Sequence, residues 1–185
     1  TGATWAASTW LVATGTTAWS YPFAPSNGES YTVQSRATDV AGNVETTFGT
    51  STFTYNASGP DSTVTTSGSY RAASWTGSIA GTASTTGGAS VTAVAITIQR
   101  TSDSLYYTGA GWGASTWLAA TGTTSWSYAF TPVDGVTCQV QSRATDSFGN
   151  VEASFGSSSF NYDGTSPTSV ITTSGSYVGT FSGYV

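Results

Sequence analysis

The chain has 185 residues with four basic and nine acidic side chains, and it lacks His and Met. A net charge of -5 with only 7% charged residues leaves no basic stripe to neutralise phosphates, which disfavours both nucleic acid and anionic membrane surfaces as partners. No apolar run of about 18 residues occurs, so membrane insertion of this segment as a helix is not expected.

Ser and Thr account for 66 residues, and the basic residues are all Arg. Thr, Tyr, Trp, Phe and Val suit pleated, half-buried surfaces, and 14% aromatic residues supply apolar area for a core, so a folded all-β chain is expected. Trp10 to Ala57 and Trp117 to Gly164 are copies displaced by 107 residues, identical at 29 of 48 aligned positions. Repetition at this length predicts a modular, extended protein. In this register 1–57 is the carboxy-terminal part of a repeat, 58–163 is a complete repeat, and 164–185 is the amino-terminal part of a further one. The two partial pieces both lack the stretch equivalent to about Ala80 to Tyr107. They are therefore not expected to complete each other between molecules, and the chain is expected to be a window on a longer polypeptide.

In chain order, Trp19, Tyr21 and Phe23 recur at every second residue in the first copy and predict an aromatic stripe on one strand face. The best-kept stretch, VQSRATDVAGNVE from Val33 to Glu45, predicts a hairpin. Asp39 caps its turn, while Gly42 and Asn43 tolerate positive φ. In the complete repeat Val64 marks a first strand and Ser78 to Ala83 a second. Val94, Ile96 and Ile98 then alternate with Ala95, Thr97 and Gln99, as in a strand with one buried face. Leu105 to Tyr107 is short, and Trp126, Tyr128 and Phe130 repeat the aromatic stripe. Cys138, Val140, Ser142 and Ala144 share one parity, and VQSRATDSFGNVE from Val140 to Glu152 repeats the hairpin. Val151 and Phe155 lie on one parity and Phe160 and Tyr162 on the other, so a bulge is expected near Gly156. About seven strands per 107 residues predict a two-sheet sandwich with Trp126, Tyr128, Phe130, Val94, Ile96, Ile98 and Val140 in its core.

The strings ITIQRTSDSLYYTGAGW, STWLAATGTTSWSY and VQSRATDSFGNVE resemble the bacterial immunoglobulin-like repeats of large secreted or surface-anchored proteins, and NGESYTVQSRA is similar to fibronectin type III domains. The resemblance spans the whole chain, and its most specific element is R-A-T-D-x-x-G-N-V-E, present twice. It implies tandem immunoglobulin-like β-sandwiches in an extracellular or cell-surface stalk or adhesive element. It also implies that Tyr31 bonds back to the backbone at a corner, whereas Cys138 stands at that place in the second copy.

Catalysis is not expected: without His or Lys, a Ser or Cys nucleophile has no base beside it, and the recurring pairs Asp39 with Glu45 and Asp146 with Glu152 fit turn capping better than acid/base work. No cofactor is expected. Calcium, which takes six to eight hard oxygen ligands, has as its weak candidates Asp39, Asp146 and Asp163, with Asn56 and Asp61 near a junction. Trp5 and Trp112, in Gly- and Ala-rich loops, are the candidate ligand contacts for carbohydrate, and Asn56-Ala57-Ser58 is a glycosylation sequon. Cys138, the one cysteine, is expected to be a small buried core residue. Short linkers carrying Pro60 and Pro167 predict a semi-rigid array. The function expected is a structural module of a long extracellular fibre, filament or stalk, partnered by adjacent repeats or copies of itself. The alternative is an adhesin-type module contacting carbohydrate or another cell surface.

Overall fold

Alternating, Gly-punctuated segments of this kind satisfy their backbone groups by pairing with one another, and the computed structural model, which describes residues 9–171, is built from strands. In chain order these are β1 (Thr14–Gly15), β2 (Trp19–Ser20), β3 (Glu29–Ser35), β4 (Gly49–Tyr55), β5 (Asp61–Val64), β6 (Gly68–Tyr70), β7 (Ser78–Ser84), β8 (Val91–Arg100), β9 (Tyr106–Tyr107), β10 (Trp112–Gly113), β11 (Leu118–Ala119), β12 (Thr121–Gly122), β13 (Ser125–Ala129), β14 (Val136–Asp146) and β15 (Gly156–Tyr162). Among the described residues the one helical element is a single 3-10 turn, Ala72–Ser74. Between Asp61 and Tyr162, the strands longer than two residues are β5, β6, β7, β8, β13, β14 and β15, while the expected short strand at Leu105 to Tyr107 is the two-residue β9.

These strands form two sheets, one ordered β10-β9-β8-β14-β15-β6 with β11 also on β8, the other β12-β13-β7-β5. All ladders are antiparallel except the pairing of β15 with β6, which is parallel. Side chains from both sheets meet in one core: Ile79, Val94, Ile96, Ile98, Trp126, Phe130, Cys138, Val140, Ala144 and Phe160 are all buried. The period-2 reading of β8 and β14 is therefore realised, with Val140 opposite Ile98 and Ala144 opposite Val94. Tyr128 is only half-buried, at the margin of the core. Trp126 lies on Gly81, where an added Cβ would fall 2.2 Å from the indole. Its Nε1 donates to the Thr82 carbonyl at 3.1 Å, so the one polar atom of this buried ring is satisfied.

One local expectation is corrected. There is no bulge near Gly156: Val151 pairs only through an isolated bridge to Thr145, and β15 begins at Gly156 itself. The parity change falls in the bend between them, so Val151 and Phe155 are exposed loop residues. The register shift occurs instead at Thr145/Asp146, where β14 leaves β8. The sequence also gave no sign of β6, whose short Gly-Ser-Tyr run has no alternation to reveal a parallel partner.

In the first copy β3 and β4 pair with the same register as β14 and β15, Val33 opposite Ser51 as Val140 is opposite Ser158. They form a two-stranded sheet on their own. Trp19 is 51% exposed where Trp126 is 2%, and Phe53 is 40% exposed where Phe160 is 1%.

Candidate functional site

Both Asp-x-x-Gly-Asn turns are closed by their own aspartate. Asp39 Oδ1 accepts from the backbone N–H groups of Ala41 and Asn43 at 2.9 and 2.8 Å, and Oδ2 accepts from Asn43 Nδ2 at 2.8 Å. Asp146 repeats this with Phe148 N, Asn150 N and Asn150 Nδ2. Gly42 and Gly149 take the left-handed conformation, φ 88° and 85°, that the turn requires. The Asn43 amide leads the donors that hold the Asp39 carboxyl below its ordinary value. Burial works to raise Asp146, but the Asn150 side chain and three backbone N–H groups outweigh it and hold this carboxyl low as well.

Glu152 is buried, and its oxygens join the two sheets. Oε1 accepts from Ser62 N at 2.8 Å, and Oε2 accepts from Ser62 Oγ at 2.6 Å and Ala144 N at 2.9 Å. The Ser62 hydroxyl proton is thus committed to Glu152, so Ser142 Oγ, 2.8 Å away, is the donor to Ser62 Oγ. The carboxylate that sequence offered as a remote acid/base candidate is a cross-sheet fastener.

The most elaborate polar arrangement lies where the copies meet. Asn27 Oδ1 accepts from Ala57 N at 2.6 Å and its Nδ2 donates to Ser58 Oγ at 2.5 Å, clamping the linker to the first hairpin. Asn56 faces the other way. Its Nδ2 donates to the Thr86 carbonyl at 3.0 Å, its Oδ1 accepts from Ser58 N, and its own carbonyl accepts from Asn150 Nδ2 at 3.1 Å. Gly28 and Gly87 bring the backbones together, and a Cβ on Gly87 would lie 3.1 Å from the Gly28 Cα. Asn56 and Pro60 are buried. Asn56 of the sequon is buried, with one Nδ2 hydrogen engaged by the Thr86 carbonyl.

At the end of the second copy aspartates replace both asparagines. Asp134 accepts from Gly164 N and from the Thr165 hydroxyl, and Asp163 Oδ1 accepts from Thr165 N at 3.0 Å. The Thr165 hydroxyl, followed by the Gly164 N–H, holds Asp134 below its ordinary value. The calcium candidates Asp39, Asp146 and Asp163 are each engaged in separate turns and are not brought together. Among the described residues no three acidic, His or Cys side chains converge.

Trp112 is half-buried, edge-on to Tyr107 at 5.7 Å and to Phe130 at 6.5 Å, with the Arg100 guanidinium 4.6 Å from its centroid. Its ring is thus a lid on the core and not a free platform. Trp5 lies outside the described residues. Arg36 lies 4.4 Å over Trp10 and Arg143 4.3 Å over Trp117, with Phe48 and Phe155 edge-on to the same rings. These twin stacks were missed, although each copy keeps its Trp, Arg and Phe at matching positions. Cys138 is fully buried, which pushes its thiol up to about 11. Tyr31 Oη accepts from Ser26 N at 2.7 Å, the corner bond that the resemblance implied. Searches against protein-family models and curated proteins return no match for this chain.

Proposed function

We propose that the chain is a structural module of a long extracellular fibre or surface stalk, built from immunoglobulin-like sandwiches in tandem, in which function resides in reach and stiffness. The observation that carries this reading is the joint: Asn27, Asn56 and Asn150 bind the linker to both neighbours through four hydrogen bonds, a fifth from Ser58 N to Asn56 Oδ1 closes the linker on itself, and Pro60 further restricts it. A linker fixed in this way transmits orientation from one unit to the next, as a stalk requires and a flexible tether does not. Localisation outside the cell accords with abundant hydroxyl residues and the absence of Lys. The adhesin alternative has less in its favour, because Trp112 packs against the core.

Small-angle X-ray scattering of the full chain tests the reading. An elongated particle of fixed dimensions is expected across salt and with EDTA, and Asn56→Ala is expected to loosen it. A wild-type particle already flexible at the joint, or one whose shape depends on salt or chelator, would sink the proposal.

A further inference from the structure

The joint holds the one Asn-Gly pair of the chain, Asn27-Gly28. The other four asparagines are followed by Val44, Ala57, Val151 and Tyr162, whose side chains screen the backbone nitrogen beside them, whereas Gly28 has no side chain to do so. Asn27 is exposed to water. Both groups that would react are restrained while the joint is closed. The Asn27 side chain is held by Ala57 N and Ser58 Oγ, and Gly28 N donates to the Tyr55 carbonyl at 2.8 Å. The second copy shows how this place accommodates an acid. Asp134-Gly135 stands at the equivalent positions, and Gly135 N donates to the Tyr162 carbonyl at 2.9 Å. The Asp134 carboxylate accepts from Gly164 N and the Thr165 hydroxyl, the counterparts of Ala57 N and Ser58 Oγ.

We propose that Asn27 is a self-modification site, at which the chain converts its own side-chain amide to an acid when the joint opens. Once the bonds to Tyr55 and Ser58 are released, Gly28 N loses its proton to hydroxide and attacks Asn27 Cγ. A bond forms between these two atoms, the Cγ–Nδ2 bond breaks, and ammonia leaves with a proton taken from water, which regenerates hydroxide and closes a five-membered imide. Water then opens the ring at either carbonyl carbon. Opening at Cγ leaves an aspartate, and the Asp134 geometry is the pattern for it: the clamp is kept, with the Ser58 hydroxyl now donating to a carboxylate. Opening at the Asn27 backbone carbonyl leaves an isoaspartate, whose main chain runs through Cβ and Cγ and is longer by a methylene group, so the Ala57 and Ser58 bonds are lost. Either product places a new negative charge at the joint. The inference rests on the hydrogen bonds of the joint and holds whether or not the array is a stalk.

The test ages the full chain at neutral and mildly alkaline pH, in buffer and in denaturant, and maps its peptides by mass spectrometry with chromatographic separation of the isoaspartyl product. Conversion in buffer is expected at Asn27 and at none of the other four asparagines, faster at the higher pH, and at least about tenfold slower than in denaturant because the reaction awaits local opening. Ser58→Ala removes one restraint without touching either reacting group and should speed conversion in buffer roughly fivefold, the gain in opening that follows the loss of one hydrogen bond. The inference is overturned if Asn27 stays intact in buffer while it converts fully in denaturant, if the two rates are equal, if the other asparagines convert in buffer as fast as Asn27, or if Ser58→Ala converts no faster than the parent chain. A particle whose shape depends on salt or chelator would remove the stalk reading and leave this mass readout unchanged, so the two failures are distinguishable.

Discussion

The hairpins β3–β4 and β14–β15 are identical at 16 of 27 aligned positions and have the same turn bonds and the same register, yet one has an exposed inner face and the other forms the centre of a core. Asp39 and Asp146 close their turns with matching sets of donors. Everything within the hairpin is therefore specified by about two dozen local residues. Burial is not, because Trp126 lies on Gly81 of β7 and Phe160 packs against Tyr70 of β6, Trp75 and Phe130. The same Trp is thus a core residue in one copy and a surface residue in the other, and the contribution of each shared residue should depend on which copy holds it.

The largest expected effect is at the aromatic stripe. Trp126→Ala should destabilise the sandwich by about 3 to 5 kcal/mol, the usual cost of deleting a large buried aromatic side chain. Trp19→Ala should cost less than about 1 kcal/mol, as for other exposed substitutions. Denaturant unfolding of the full chain, with amide exchange reading β14–β15 and β3–β4 separately, measures both. Equal costs would show that Trp19 is covered and would remove the contrast. Glu152→Ala comes next, at about 2 to 4 kcal/mol, since the buried N–H groups of Ser62 and Ala144 lose their acceptor at roughly 1 to 3 kcal/mol each. Glu45→Ala removes one bond, from Ala37 N, and should cost about 1 kcal/mol or less on the same exchange readout. A Glu45 effect as large as that of Glu152 would mean that a second partner reaches it.

The fold was legible wherever an element carried its own period. Val94, Ile96 and Ile98, the Trp126 stripe and the Asp-Gly-Asn turns announce themselves within ten residues. The joint was not legible, because Asn27, Asn56, Thr86 and Asn150 are scattered over more than a hundred positions and no local pattern links them. The environment of Asn56 is made by residues far away in sequence. Ser62 and Glu152 likewise lie 90 residues apart, so a cross-sheet fastener could be read only as two ordinary polar residues. Thr97, expected to face outward, is buried in a strand flanked by β14 on one side and by β9 and β11 on the other. Period alone does not count neighbouring strands.

Exchanging the one core position at which the copies differ most sharpens the comparison further. Cys138→Tyr forces a large ring into a fully buried site opposite Phe160 and should cost about 1 to 3 kcal/mol by overpacking. Tyr31→Cys loses the bond from Ser26 N and should cost about 1 kcal/mol or less in β3–β4 protection. A well-tolerated Cys138→Tyr would mean that the second core has room the structure does not show. The same burial should keep Cys138 unreactive toward thiol reagents until the sandwich unfolds, which timed alkylation in denaturant would check.

The smallest effect concerns acid. The folded-state pKa of Asp146 lies below its ordinary value of 3.8, so its contribution to stability is fully present above about that pH and is lost as pH falls through the lower, folded value. Unfolding of the second copy should therefore become easier below about pH 4, and Asp146→Asn should flatten that part of the pH dependence, keeping Oδ1 as acceptor for the Phe148 and Asn150 N–H groups while losing the Oδ2 acceptor for Asn150 Nδ2. Asp39 is also held low, by Asn43 and the same kind of backbone donors, but its turn closes a hairpin with no sandwich over it. Asp39→Asn should accordingly change local exchange near Ala41 and Asn43 and leave the acid slope of β14–β15 protection unchanged. If Asp39→Asn altered that slope as much as Asp146→Asn, the two hairpins would have to unfold as one cooperative unit through the Asn27–Asn56–Asn150 joint, and the copies could no longer be treated as independent.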